Sequence, residues 1–334
     1  MVAAAMDQLN RFWAGMLAAA CLGIAAPAAA ECTPAPEYAA LTSASPEEAI
    51  VGPTQTDSIG RVVAPISVNG QGPFRFIVDT GANRSVLSEA LAHRLGLTPD
   101  GAGDVHSVHG VTQAPLVRVN SFDYGRLSLG GADVPMLHGA VLAGEQGLLG
   151  VDGMRGRRLR MDFVRDCIEI IPSHDAPRLR RGWITLHGEL RFGHLVVIPG
   201  RIGDVEVNLF LDTGSNSTLA NPALRDAIDA RLRRPTNVRE RTVAYTAGRP
   251  VVLDNAVLLP RVRIGPAGEV HLRNITAYVG NFHIFQLWQL TDEPAMLVGM
   301  DVLSQAREIA IDYERATVHI RFQSDDRVGI VFVR

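Results

Sequence analysis

One arrangement constrains this chain more than any other, and it occurs twice. Phe76-Ile77-Val78-Asp79-Thr80-Gly81-Ala82 and Phe210-Leu211-Asp212-Thr213-Gly214-Ser215 are both short apolar runs that stop at an acid. Each Gly is followed by a polar turn and then a helix-like stretch. A carboxylate at the end of a buried strand is costly unless it is hydrogen-bonded or shares its charge with a partner. The same costly arrangement in both halves predicts that Asp79 and Asp212 meet.

The two halves match beyond the motif. Gly70 lies nine residues before Asp79, and Gly203 nine before Asp212. Leu148-Leu149-Gly150-Val151-Asp152 pairs with Leu297-Val298-Gly299-Met300-Asp301. The segment from Asp162 to Ile170 aligns without gaps on that from Asp312 to Ile320. This is an internal duplication of a strand-rich unit. The second copy is longer between Asp212 and Gly299, with the extra residues expected within 265–295.

Strand and turn signals fill in each half. Val62 to Val68 and Phe74 to Val78 read as a hairpin around Asn69-Gly70. Ser88 to Leu95 has helical spacing and stops at Gly96. Further strands are expected at Leu116 to Phe122, Leu127 to Leu129, Leu159 to Phe163 and Cys167 to Ile171. In the second half, Val196 to Ile202 and Val207 to Leu211 form the matching hairpin, and Pro222 to Leu232 the matching helix. Arg241 to Val252 reads as a hairpin, and Val328 to Val333 as a terminal strand. The expected boundaries are 1–30 for a signal peptide, 31–58 for a leader or tether, 59–171 for the first lobe, 172–182 for a linker and 183–334 for the second lobe.

The N-terminus carries a targeting pattern. Arg11 precedes an apolar run from Phe12 to Ala26, and Ala28-Ala29-Ala30 supplies small residues before Glu31. Cleavage near Ala30 and export to the periplasm or the medium are expected. A lipid anchor at Cys21 is the rival reading, although Ala18-Ala19-Ala20 fits one poorly. The run is short for a membrane span, and no later stretch qualifies. Two cysteines would then remain, Cys32 and Cys167. Export permits a disulfide between them, while a free Cys167 in a strand core is the plainer alternative.

With 334 residues and a net charge of −3 the chain offers no case for nucleic acid. All 32 of its basic residues are Arg. The groups at Arg155, Arg157, Arg158 and Arg160, and at Arg178, Arg180 and Arg181, are interspersed with acids and read as a solvated or ion-paired face.

Two facing carboxylates do not both ionise easily, so one keeps its proton where a free Asp loses it. Such a pair does acid and base work together. Gly81 and Gly214 allow close backbone approach. Thr80 and Thr213 have hydroxyls placed to tie the two loops together.

On these residues the chain resembles the retropepsin-like and pepsin-like aspartic proteases, two lobes in one polypeptide, over about residues 59 to 325. The resemblance implies an all-β fold of two homologous closed barrel-like lobes with a cleft between them. It implies Asp79 and Asp212 as the catalytic pair, with Thr80, Gly81, Thr213, Gly214 and Ser215 as their support, and each Leu-Leu-Gly or Leu-Val-Gly segment behind its acid. Ala82 follows the retropepsin pattern and Ser215 the pepsin pattern, with a hydroxyl that can reach Asp212. A flap is expected near His106 to Thr112, bringing His109 and Gly110 to a substrate, and a second near Val243 to Arg249, bringing Tyr245. Tyr245 reads equally as a core or edge aromatic. His106 and His109 raise a metal reading, but no third ligand has suitable spacing, so no metal and no cofactor are expected. Phe282 to Leu290, the most aromatic stretch, either lines a pocket or packs the core. The implied activity is an exported endopeptidase acting on peptides or proteins as a monomer, both acids being in one chain. A homodimer and a non-catalytic peptide-binding protein are the alternatives.

Overall fold

Gly70 and Asn69 both adopt left-handed backbone, φ 72° and 50°, and close a two-residue turn between the strands Val63–Val68 and Gln71–Val78. That hairpin begins a sheet that returns on itself. Gln71–Val78 runs parallel to Gly147–Leu149, which lies antiparallel to Val86–Ser88, which in turn runs parallel to Leu127–Leu137. Leu127–Leu137 pairs with Val111–Tyr124, and the ring closes where Ser67 and Val68 meet Asp123 and Phe122. Its interior is apolar: Ile66, Phe76, Leu87 and Val119 are fully buried, with Phe122 edge-on to Phe76 at 5.9 Å. Pro99–His106 extends from the ring as a hairpin with Val111–Tyr124.

The computed structural model describes residues 33–34 and 62–322, except 125–126, 139–141, 143, 166, 180, 232–236, 246–249 and 266. The targeting segment, Cys21, Cys32, most of the leader and Val328 to Val333 therefore lie outside the described residues. All described residues belong to one unit, Cys32–Arg334.

The second lobe repeats the order. Leu195–Ile202 and Val205–Leu211 form the hairpin, Val205–Leu211 runs parallel to Ala295–Val298, and Leu219–Ala220 lies between Ala295–Val298 and Ile275–Val279. The counterpart of the long strand Val111–Tyr124 is broken into Ala256–Leu259 and Val262–Ile264. Pro260 stands at the break, where it has no N–H to give a ladder. Ala256–Leu259 pairs with Ile275–Val279, and Val262–Ile264 with Leu195–Ile202 and Val270–Leu272. The fold is thus mostly β, in two barrel-like lobes.

Local chemistry starts the helices where the sequence places them. The Ser88 side chain accepts from the Leu91 N–H to cap Glu89–Arg94. Asn221 does the same from Leu224 for Pro222–Asp229. Leu127–Leu137 runs well past the expected end at Leu129. The sequence signal fades at Gly130-Gly131 and Pro135, but the strand continues through register shifts near Phe122. Gly131 lies so close to Val111–Tyr124 that a Cβ there would stand 2.3 Å from the Asn120 carbonyl oxygen.

A six-stranded sheet joins the halves, in the order Thr33–Pro34, Cys167–Pro172, Arg157–Asp162, Ala306–Asp312, Thr317–Phe322 and Trp183–His187. At its centre Leu159 pairs with Ile311 and Arg158 with Asp312, so one duplicated hairpin adds directly to the other. Buried Glu308 accepts from Arg160 at 2.6 and 2.9 Å and from Arg321 at 3.0 Å. Arg160 thus serves this sheet as an ion-pair partner. Pro34 stands opposite Cys167 in the edge pairing. Among the described residues no helix is long and apolar enough to cross a membrane.

Candidate active site

Each acid is the first residue past the end of a buried strand. Val78 is the last residue paired to Leu149, and Leu211 the last paired to Val298. The Asp79 N–H then donates to the Leu149 carbonyl at 2.9 Å, and the Asp212 N–H to the Val298 carbonyl at 3.0 Å. The backbone of both acids is therefore held by a ladder bond before either side chain is considered.

The loops turn back on their own acids. Gly81 N–H donates to Asp79 Oδ1 at 2.8 Å. Gly214 and Ser215 N–H both donate to Asp212 Oδ1, at 3.0 and 3.1 Å. The Ser215 hydroxyl, expected to reach Asp212, instead donates to the Ser217 carbonyl at 2.7 Å and accepts from the Ser217 N–H. Its backbone has already satisfied the acid, and the turn brings Ser217 closer.

The lobes are tied together beneath the acids by two threonines. Thr80 Oγ1 donates to the Leu211 carbonyl at 2.6 Å and accepts from the Thr213 N–H at 3.2 Å. Thr213 Oγ1 donates to the Val78 carbonyl at 2.6 Å and accepts from the Thr80 N–H at 3.1 Å. Both threonines are buried. This reciprocal exchange satisfies four backbone groups that two abutting loops would otherwise leave unpaired.

The glycines pack across the pair. A Cβ on Gly81 would fall 2.7 Å from Asp212 Cγ, and one on Gly214 would fall 2.2 Å from Asp79 Oδ2. Each carboxylate therefore lies on the other lobe's loop. Burial and then the Asp79 charge hold the Asp212 carboxyl well above the ordinary carboxylate range. A side-chain hydrogen bond with Asp79 acts in the same direction, and the Gly214 and Ser215 N–H groups oppose it. The pair therefore holds one proton where a solvated Asp holds none. Tyr313, buried beside them, has its phenol pushed up by burial and by the Asp79 charge.

Behind each loop stands a second matched pair that the motif does not announce. Ser85 donates through its hydroxyl and its N–H to the two carboxylate oxygens of Asp152, at 2.7 and 3.0 Å. Thr218 does the same to Asp301, at 2.8 and 3.1 Å. The hydroxyls also accept from Gly150 and Gly299, both at 3.1 Å. The apolar-apolar-Gly segments are thus fastened to the acid loops. The signal was present: Ser85 and Thr218 each lie six residues after their acid, and Asp152 and Asp301 each end a duplicated segment.

The acids stand in a cleft of about 280 Å³. Its lining includes Ile77, Leu137, Leu148 and Leu297 from the lobe interiors, Asp104 to Val108 from the first hairpin, and Ile284, Leu287 and Trp288 from the second lobe. His109 and Gly110 are not among the lining residues. Ser107 closes the tip on itself, its N–H donating to the Gly110 carbonyl and its hydroxyl accepting from the His109 N–H, so those two residues turn back toward the returning strand. Tyr245 ends the strand Thr242–Tyr245, which pairs with Pro250–Leu253 as a separate two-stranded hairpin. Within the second expected flap, Val243 to Arg249, residues 246–249 lie outside the described residues.

The aromatic stretch divides its faces between both expected roles. Phe282, Phe285, Trp288 and Leu290 are buried, with Trp288 stacked 4.6 Å from Phe210, just before Asp212, and 5.5 Å from Phe192. Ile284 and Leu287 face the cleft along with the edge of Trp288. Among the described residues no three His, Cys, Asp or Glu side chains are grouped to hold a metal ion.

The family model described as aspartyl protease matches residues 64–152 and again 198–302, one match for each lobe. No curated protein matches the chain.

Proposed function

The chain belongs to the aspartyl protease family, and on that premise we propose that it is an exported endopeptidase in which Asp79 and Asp212 activate water together. The observation that carries this reading is the crossed packing of Gly81 on Asp212 and Gly214 on Asp79, which holds the two carboxyls against each other with a raised proton affinity at Asp212.

The chemistry follows from one shared proton. The ionised carboxyl takes a proton from a water lying between the acids, and that oxygen bonds to the peptide carbonyl carbon. The protonated carboxyl gives its proton to the carbonyl oxygen. In collapse the C–N bond breaks, the oxygen returns its proton, and the leaving nitrogen takes the one removed from water. The Gly81, Gly214 and Ser215 N–H groups keep the carboxyls oriented throughout. The apolar lining suits an extended substrate with apolar side chains on both sides of the cut, and it excludes bulk water from the acids. Both acids come from one chain, so a monomer suffices. The Ala28-Ala29-Ala30 pattern supports export.

The test is cleavage of a diverse peptide library by the full chain and by its processed form from pH 3 to 8, beside Asp79→Asn and Asp212→Asn. The expected result is cutting by wild type and a loss of at least a thousandfold in each folded variant. Equal cutting by all three overturns the assignment. Binding of peptides without cutting by any form favours the non-catalytic reading.

A further inference from the structure

The first-lobe hairpin is fastened to the opposite lobe. His106, the last residue of the strand Pro99–His106, lies in hydrogen-bond contact with His283 of the helix His283–Leu287, Nδ1 to Nε2 at 2.9 Å. The rings stack with centroids 5.2 Å apart and planes 10° from parallel. One residue pair further on, the His283 N–H donates to the Val108 carbonyl at 2.9 Å. Val108 and Ile284 are both half-buried and pack on the common core. These contacts connect a hairpin tip of one lobe to a helix of the other, and Asp104 to Val108 of the first and Ile284 and Leu287 of the second line the cleft that holds the acids.

We propose that His106 and His283 form a proton-released latch that holds this hairpin shut across the cleft. For its consequence, the gating of substrate entry, the proposal rests on the reading of the cleft as a peptide site. An N–H···N bond between two imidazoles needs one ring N–H and one ring lone pair. The neutral pair has both, and so does the pair carrying one extra proton, whose bond is charge-assisted. A second extra proton removes the acceptor and sets like charges on two stacked rings. Histidine is the side chain whose charge changes most readily between neutral and mildly acid conditions. The latch therefore survives the first protonation and fails at the second.

The surroundings are compatible with this. Among the described residues, the charged or titratable side chains on the cleft lining besides His106 itself are Asp104, two residues before it on the same strand, Arg84 beside the first acid loop, and Asp79 and Asp212 on the floor. His109 lies on the turn of the same hairpin, and the helix His283–Leu287 bears no other titratable group. While the latch is closed, the Val108 carbonyl is occupied by the His283 N–H. Release frees it to accept from a main-chain N–H of an incoming peptide.

The experiment needs no turnover. Hydrogen exchange at the His283 amide is followed in the full chain at pH 7 and pH 4.5, each rate divided by the intrinsic rate at that pH. The Asp79 amide, bonded to the Leu149 carbonyl at the end of a buried strand, serves as the reference. Wild type is expected to lose at least tenfold protection at His283 on acidification while Asp79 is unchanged. His106→Phe retains a stackable ring without the hydrogen bond, and its His283 amide is expected to be unprotected at both pH values. His106→Gln retains a polar partner without the titration and is expected to stay protected at both. Unchanged wild-type protection, a pH step persisting in His106→Phe, or parallel loss at Asp79 overturns the latch. Because the readout is independent of peptide cleavage, failure of the latch and failure of the Asp79 and Asp212 assignment are seen in separate experiments.

Discussion

Gly214 packs directly on the carboxylate of Asp79, so closely that a single added methyl would overlap its Oδ2. The reciprocal contact joins Gly81 and Asp212. Neither glycine has the left-handed backbone that would require glycine for conformational reasons; what excludes a side chain is the acid of the other lobe.

Gly214→Ala therefore pushes the two carboxyls apart. The expected effects are about 1–3 kcal/mol of lost stability, as for other forced insertions into a packed interior, and at least a hundredfold loss of peptide cleavage. Chemical denaturation and a peptide assay measure the two separately. A variant that folds as wild type and cuts at an unchanged rate contradicts the crossed packing.

Thr80 and Thr213 make a second reciprocal link. Thr80→Val preserves shape but leaves the Leu211 carbonyl and the Thr213 N–H without their partner. A buried group left unpaired costs about 1–3 kcal/mol. Thr80→Ser retains the hydroxyl and is expected to recover most of that loss. Denaturation midpoints of the three proteins decide the matter.

Asp212 gives the pair a stability signature in pH. Its carboxyl titrates well above the ordinary range in the folded protein, chiefly through burial and then through the Asp79 charge. Above the unfolded carboxylate pKa the folded state thus binds more protons than the unfolded one. By linkage its contribution is full at low pH and is lost as pH rises through the folded value. Melting of wild type against Asp212→Asn from pH 4 to 8 is expected to show wild type losing ground as pH rises, with the variant the more stable near neutrality. Peptide cleavage, needing one proton on the pair, is expected to fall on both sides of an optimum.

Asp312 acts in the opposite sense on the sheet that joins the halves. Burial alone raises its pKa, but hydrogen bonds from the Ser173 hydroxyl and the Arg315 guanidinium, with the Arg315 and Glu314 N–H groups, hold it below the ordinary value. Its contribution is present above the unfolded pKa and lost as pH falls through the folded one. Asp312→Asn is expected to melt below wild type at pH 6, with the gap closing toward pH 2. A gap that does not change with pH contradicts the assignment.

The elements that position the site were legible because their causes are local. The Asn69-Gly70 turn, the caps at Ser88 and Asn221, the apolar runs ending at Asp79 and Asp212, and the duplicated segments around Gly150 and Gly299 are all written in a few adjacent residues. Turn chemistry and strand alternation act over that range. Two copies of a motif whose acid is costly alone pointed to a meeting, because burial without a partner is unfavourable.

Tertiary structure alone decided which atom meets which. The Ser215 hydroxyl found Ser217 instead of its own acid, and each glycine found the acid of the opposite lobe. His106, which raised a question of metal ligands beside His109, pairs with His283, 177 residues away. The Thr80 and Thr213 exchange spans 133 residues. No local period or turn preference encodes such contacts; they arise when two similar lobes close on each other and every buried polar group must find a partner.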